Sequence, residues 1–449
     1  MKYLVLPALL LVKVVLAQGQ HDLRGLLWED SIYHAQPIQL NYGQLAGDEP
    51  PAFSLRKYCP KVINVGGANT SVSAAAVWYG RTMLENLHCG HKESSQHAYN
   101  GFFNNRLVSN NCDNVVSLTA VLHSLQTTGA VQYAKLNTFC LDSISPALVA
   151  DAAAHRISGY VRLFNTFDRK DIKINAIKAA LHAGNPVILG LIAPPSFGRA
   201  GEFWLPKETP ELGAAGHAVT VVAYDDKNSG GSIEVVNSWG KHWGKDGFTW
   251  IQYEDVERFV MYGYAIFDNQ YSSCLNKVAA GSVRFTTTAG ADMPASSSRL
   301  GFYRLDKAYP TKTEFTVRVN TEQKMYVYGV YTDASNAVQT FFPWGDNHYS
   351  NAIILNKHEF KLPPGDFPFT LEPPSGTNYL CFIFSATPLD IQAMAQQLQA
   401  GSGDFSARVK SAFKIRNGGQ TVQWKEGMGF SVEYDAEFRI AMVVQLDQK

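Results

Sequence analysis

His217 heads an apolar run, Ala218-Val219-Thr220-Val221-Val222-Ala223, and Asn237 closes a strand-like run that begins at Ser232. Read as strands of one sheet, the two runs can bring these side chains together. The Asn carboxamide oxygen then accepts from one imidazole nitrogen and leaves the other turned toward a nucleophile. Trp239, two residues on, would shield that hydrogen bond from water. Nucleophilic catalysis by such a pair needs a thiol or hydroxyl opposite it, at a helix N-terminus whose dipole lowers the group's pKa. Ser71 offers a hydroxyl. It opens a helical pattern running from Thr70 to about Leu87, in which Ala74, Ala75, Ala76, Trp78 and Met83 suit close packing inside a core.

The elements that would position these residues follow from the change of period along the chain. Helical patterns come first, at 70–87, Val115 to Leu125 and Ile172 to Ala183, the last two stopped by Gly129 and by Gly184-Asn185-Pro186. Residues 90–111 read as loop. Strand-like runs then follow at 187–192, 218–223, 232–237 and 248–253. Helices followed by strands predict an α+β unit rather than alternating βαβ units. Past Cys274 short alternating runs dominate, at 314–319, 325–331, 338–342, 367–371 and 378–385, with Pro- and Gly-rich turns between them and one short helix at 389–398. That spacing predicts a β-sandwich. The expected division is residues 1–17, an extended segment 18–53, a first domain 54–270 and a sandwich 275–449.

Composition narrows the class. The chain has 449 residues, 46% hydrophobic and 17% charged, with formal net charge zero. This is a packed globular composition with no charge excess to draw it to nucleic acid or an anionic membrane. The N-terminal run MKYLVLPALLLVKVVLA reads as a signal peptide cut before Gln18, because the apolar stretch is short for a membrane span and Lys13 interrupts it. The mature chain is therefore expected to be exported: secreted, periplasmic or at the cell surface. Six cysteines (59, 89, 112, 140, 274 and 381) permit disulfides whose pairing the sequence leaves open, and Cys381 in its apolar run reads as a buried thiol. There is no CxxC pair, and His88 and His91 show no ligand spacing, so neither a metal nor a cofactor is expected.

The series Gly216-His217-Ala218-Val219, Tyr224, Asn237-Ser238-Trp239-Gly240, Trp243-Gly244 and Gly247-Phe248 resembles the papain family of cysteine peptidases. The resemblance extends over roughly 54–268. It implies a two-lobe fold, a helical lobe against an antiparallel β-barrel-like lobe. It places Ser71 at the nucleophile position, and His217 follows at a separation within the roughly 130–150 residues usual for a papain-like His. The departures gather in one loop. Ser71 stands for the nucleophilic Cys, Val65 for the oxyanion-hole Gln, Asn69 for a Gly and Ala74 for a Trp, while Gly67 keeps the frame. A serine hydroxyl is far harder to deprotonate than a thiol, and losing one oxyanion donor alone costs roughly 10²–10³ in rate.

The expected function is therefore a peptidase homologue without peptidase chemistry, which binds an extended peptide or protein in the retained groove, with Ser71 acting as a helix cap. The alternatives are a working Ser71-His217-Asn237 hydrolase and a structural or adhesive protein acting through its C-terminal half. That half more weakly resembles a β-domain of unknown function found in bacterial secreted proteins, through Met325-Tyr326-Val327-Tyr328, Phe341-Phe342-Pro343, Gly376 to Leu380 and Pro388-Leu389-Asp390.

Overall fold

A computed structural model describes residues 25–449 apart from 39–49, 67, 92–96, 110–113, 139–140, 142, 269–270, 276, 334, 344–352, 355–357, 364–366, 414–420 and 435–436. The proposed leader, residues 1–17, lies outside the described residues. Among those described, no helix is long and apolar enough to cross a membrane.

The first half of the chain is an α+β unit, helices packed on one open sheet. Eight strands build its first sheet: β1 (Ala52–Ser54), β2 (Gly159–Arg162), β3 (Val187–Ile192), β4 (Phe203–Trp204), β5 (Gly216–Asp225), β6 (Ser232–Val236), β7 (Phe248–Gln252) and β8 (Val260–Phe267). Their order is β2-β8-β3-β5-β6-β7-β4, with β1 added on β5. The sheet ends at β2 and β4 and does not close, which corrects the barrel-like lobe expected from the resemblance. β3 and β8 are buried on both faces, and so is all of β5 but its last residue. This explains why they read as unbroken apolar runs rather than alternating ones.

Against this sheet lies a continuous helix made of Ser71–Ser73, a π-wound stretch Ala74–Arg81, and Thr82–Cys89. Residues 71–84 are all buried. Thr220 Oγ1, from β5, donates to the Ala75 carbonyl at 2.8 Å. Leu118–Thr127 and Lys170–His182 form the other two expected helices. The first starts later than the periodicity predicts because Ser117 Oγ accepts from Ala120 N and caps it.

One segment differs in kind. Gly101–Val108, expected as loop, is a helix capped by Asn100. Its asparagines are buried, where Asn104 Nδ2 donates to Ser124 Oγ and to the Gly129 carbonyl, and Ser73 Oγ donates to Asn105 Oδ1. A run rich in Asn reads as turn, and partners from distant segments decide otherwise.

The C-terminal half is a β-sandwich. Its strands are β9 (Val278–Thr287), β10 (Ala295–Arg299), β11 (Phe302–Leu305), β12 (Glu314–Thr321), β13 (Met325–Thr332), β14 (Val338–Phe342), β15 (Ile353–Ile354), β16 (His358–Leu362), β17 (Phe369–Thr370), β18 (Gly376–Ser385), β19 (Val422–Lys425), β20 (Gly429–Glu433) and β21 (Arg439–Gln448). One sheet runs β10-β11-β21-β18-β13-β14 and the other β16-β12-β9-β20-β19. They share a core in which Phe285 of β9 meets Phe382 of β18, and Phe384 of β18 meets Phe430 of β20. The helix Ile391–Ala400, capped by Asp390, and a second at Phe405–Ala412 cover the outer face. Phe267, at the end of β8, packs edge-on against Tyr326 of β13, so the two halves meet through apolar side chains.

Cys381 is fully buried, and burial pushes its thiol pKa up. Cys89 and Cys274 form a disulfide that ties the end of the long helix to the start of the C-terminal half. Cys112 and Cys140 lie outside the described residues.

Candidate functional site

β5 and β6 are antiparallel neighbours, and their ends bring His217 and Asn237 together. His217 Nε2 and Asn237 Oδ1 are 2.8 Å apart, and both residues are 1% exposed. Asn237 is itself held. Its Oδ1 accepts from Ser238 N, its backbone N–H donates to the Gly247 carbonyl, and its backbone carbonyl accepts from Tyr79 Oη at 2.9 Å. Tyr79 comes from the long helix, so the Asn is fixed from across the lobe boundary. Burial raises the Tyr79 pKa well above its ordinary value, which keeps the phenol protonated and donating.

Trp239 lies over the imidazole with ring centroids 4.3 Å apart, and Phe197 and Trp243 complete the aromatic wall. Trp243 Nε1 donates to the Phe197 carbonyl at 2.8 Å, which locks that wall to the loop before β4.

Ser71 is the first residue of its helix, and its hydroxyl accepts from Ala218 N, next to His217, at 3.4 Å. The expected capping role falls away: Thr70 is the N-cap, and its side chain makes no capping hydrogen bond. Ser71 instead turns toward β5, because the helix packs against that strand. Val65 is laced in by its main chain, donating to the Ser238 carbonyl at 3.0 Å, and its side chain offers no donor. Asn69 is half-buried on the same loop. Gly67 lies outside the described residues.

The sequence reading missed what covers Ser71. Residues 25–28, expected as part of the extended segment 18–53, run over the site in an extended stretch that makes single β-bridges from Leu26 to Gly216 and to Val116. Gly25 N and Leu26 N both donate to the Gly216 carbonyl at 3.0 Å, and Leu27 N donates to the Val116 carbonyl. A Cβ on Gly25 would lie 2.1 Å from Ser71 Oγ, so only glycine fits there. Trp28 closes over the next position, its Nε1 donating to the Ala214 carbonyl, and a Cβ on Gly216 would meet the Trp28 ring at 2.8 Å. The helix Asp30–Ala35 then anchors the segment through Tyr33. That residue is fully buried, stacked on Tyr262 at 4.1 Å, and donates to the Phe164 carbonyl. Ser71 is left 3% exposed. The signal in the sequence was the trio Gly25, Trp28 and Tyr33, but nothing local says where such a segment docks.

Comparison with known proteins agrees with this geometry on one side of the site. Residues 123–267 match the profile of the papain family of cysteine proteases. That stretch contains His217, Asn237 and Trp239, and it begins after Ser71. Residues 308–388 match a domain of unknown function, DUF4384. No curated protein matches the chain. Among solved structures it is similar to xylellain, a cysteine protease from Xylella fastidiosa, at 20% identity over 57% of this chain and 99% of that one, with a TM-score of 0.44. It is also similar to the digestive procathepsin L2 proteinase of Tenebrio molitor, at 18% identity over 54% and 78% with a TM-score of 0.44, and to proCathepsin B S9 of Trypanosoma congolense, at 14% over 55% and 87% with a TM-score of 0.42.

Proposed function

We propose that the chain is an exported papain-like peptidase homologue that no longer cleaves peptides and acts as a binding module for an extended peptide or protein. The observation that carries this reading is the asymmetry of the site. The His217–Asn237 pair keeps its hydrogen bond and its Trp239 cover, while the groups facing it are the Ser71 hydroxyl and the Val65 side chain. Neither supplies what acyl transfer needs, an easily ionised nucleophile and a second oxyanion donor.

Main-chain pairing is the mode of recognition that such a groove favours. The carbonyls of Gly216 and Val116, which residues 25–27 now engage, are the acceptors that an extended ligand would take over. Export is supported by the N-terminal apolar run and by the Cys89–Cys274 disulfide, which suits an oxidising compartment.

The test is incubation of the purified chain with a peptide-substrate library. No turnover is expected, from the native chain or from Ser71→Ala. Turnover abolished by Ser71→Ala would establish a serine hydrolase instead. Binding is tested with Gly25→Val, whose side chain cannot fit beside Ser71 and must lift the covering segment. Peptide retention should rise in that variant. Unchanged retention, or partner binding lost entirely on removing 275–449, would shift the function to the C-terminal half.

A further inference from the structure

The sandwich has an open flank of its own. Where the edge strand β19 meets β11, the start of β21 and the helix Phe405–Ala412, a pocket of about 310 Å³ opens to solvent. That volume is at the lower end of small-molecule sites. Its walls are aromatic and aliphatic: Phe302 of β11, Trp424 of β19, Ile440 of β21, and Val409 and Phe413 from the helix and its end. Phe302 and Phe413 are buried, and Trp424 is half-buried. These walls are held by the fold itself. Tyr303 Oη donates to the Lys425 carbonyl at 2.7 Å and ties β11 to β19. A Cβ on Gly301 would lie 2.7 Å from the Trp424 ring, so the β10–β11 turn sits directly on that indole. Leu300, in the same turn, lines the pocket and is 77% exposed.

The charges around the pocket have one sign. Lys410 and Arg439 belong to the lining, and no acid does. Arg299 stands beside them, its guanidinium 4.3 Å from the centre of the Phe302 ring, and Lys410 Nζ is 5.7 Å from the same centre. All three cations are exposed, and none makes a salt bridge among the described residues. The carboxylates that do pair in this half serve Arg284, Arg304, Lys312 and Arg318. Residues 414–420, which join Phe413 to Thr421, lie outside the described residues; their sequence, KIRNGGQ, adds two cations and no acid. Cations of one sign at the rim attract an anion, and aromatic walls gain from burying a further ring in edge-on or offset contact. A carboxylate can accept from the ammonium and the guanidinium together.

We propose that this flank of the sandwich is a binding site for a small aromatic carboxylate, its carboxylate held by Lys410 and Arg439 and its ring between Phe302, Phe413 and Trp424. The site is separate from the Ser71 groove and does not depend on the reading given for it.

The probes are 3-phenylpropanoate, 3-phenylpropanol, 2-phenylethylamine and propanoate, titrated into the full chain at neutral pH and low salt and followed by the NMR signals of the ligand. 3-Phenylpropanoate should bind saturably, one per chain, with Kd about 1 mM. The other three, each lacking the negative charge or the ring, should bind at least about fivefold more weakly. Lys410→Met and Arg439→Met, both at exposed positions, should each weaken 3-phenylpropanoate about fivefold and together about twentyfold. Lys241→Met, an exposed cation of the first half, should leave it unchanged. Ala441→Phe, at a half-buried wall position, should fill the pocket and abolish binding while thermal melting shows the chain folded. Equal or tighter binding of any comparison compound, binding unmoved by the paired Lys410 and Arg439 changes, or no saturable binding would each overturn the proposal.

Discussion

Two buried polar regions of this molecule differ in what encloses them, aromatic rings around His217 and an open cavity at the junction between the two halves. Around His217 the polar contacts centre on Asn237. The imidazole meets Asn237, Asn237 meets Ser238 N and Tyr79, and aromatic rings keep water out. At the junction between the two halves, Gln323 Nε2 and His88 Nδ1 are left over beside a cavity. Packed rings hold a polar network in place whether or not chemistry survives there, whereas a cavity leaves its lining open to solvent. Buried polar atoms without a hydrogen-bond partner among the described residues occur in both regions, Asn237 Nδ2 and Ser238 Oγ in the first and Gln323 Nε2 and His88 Nδ1 in the second.

The comparison can be broken at several points. Trp239→Ala should cost the most, about 3–5 kcal/mol in denaturant unfolding, as for other large buried aromatics. A loss under about 1 kcal/mol would mean that the aromatic wall is not what holds the His site together. Asn237→Leu should cost about 1–3 kcal/mol, because it strands His217 Nε2 and Ser238 N in the interior.

At the junction the sign reverses. The folded-state pKa of Lys324, about 8, lies below its ordinary 10.5, so the buried ammonium destabilises the fold below about pH 8 and the penalty lifts as pH rises toward 10.5. Melting temperature measured across that window should show Lys324→Met gaining stability at neutral pH and losing this part of the rise. A variant that melts lower at every pH would contradict the picture of an expensive buried charge.

Ser71→Ala should change stability least, within about 0.5 kcal/mol. Its hydroxyl makes one long contact with Ala218 N, and a methyl group fills the same space under Gly25.

Much of the first sheet was legible in the sequence. The run 187–192 is continuous and apolar because both faces of its strand are covered. The start of the long helix at Ser71 and the pairing of His217 with Asn237 were also legible, since strand order and side-chain alternation follow from local pattern. The helix 101–108 was not, because its buried asparagines take partners from residues 73, 124 and 129. Nor was the open edge of the sheet, which depends on where β4 docks rather than on its two residues.

The sequence by itself determined which groups stand at each position of the site: a serine, a valine, a histidine and an asparagine. Only the tertiary structure decided that Gly25 lies on Ser71 and that Cys89 meets Cys274 across the junction. Both are contacts between segments far apart in the chain. They are fixed by what Tyr33 and Phe267 bury, and local propensity carries no information about where such segments dock.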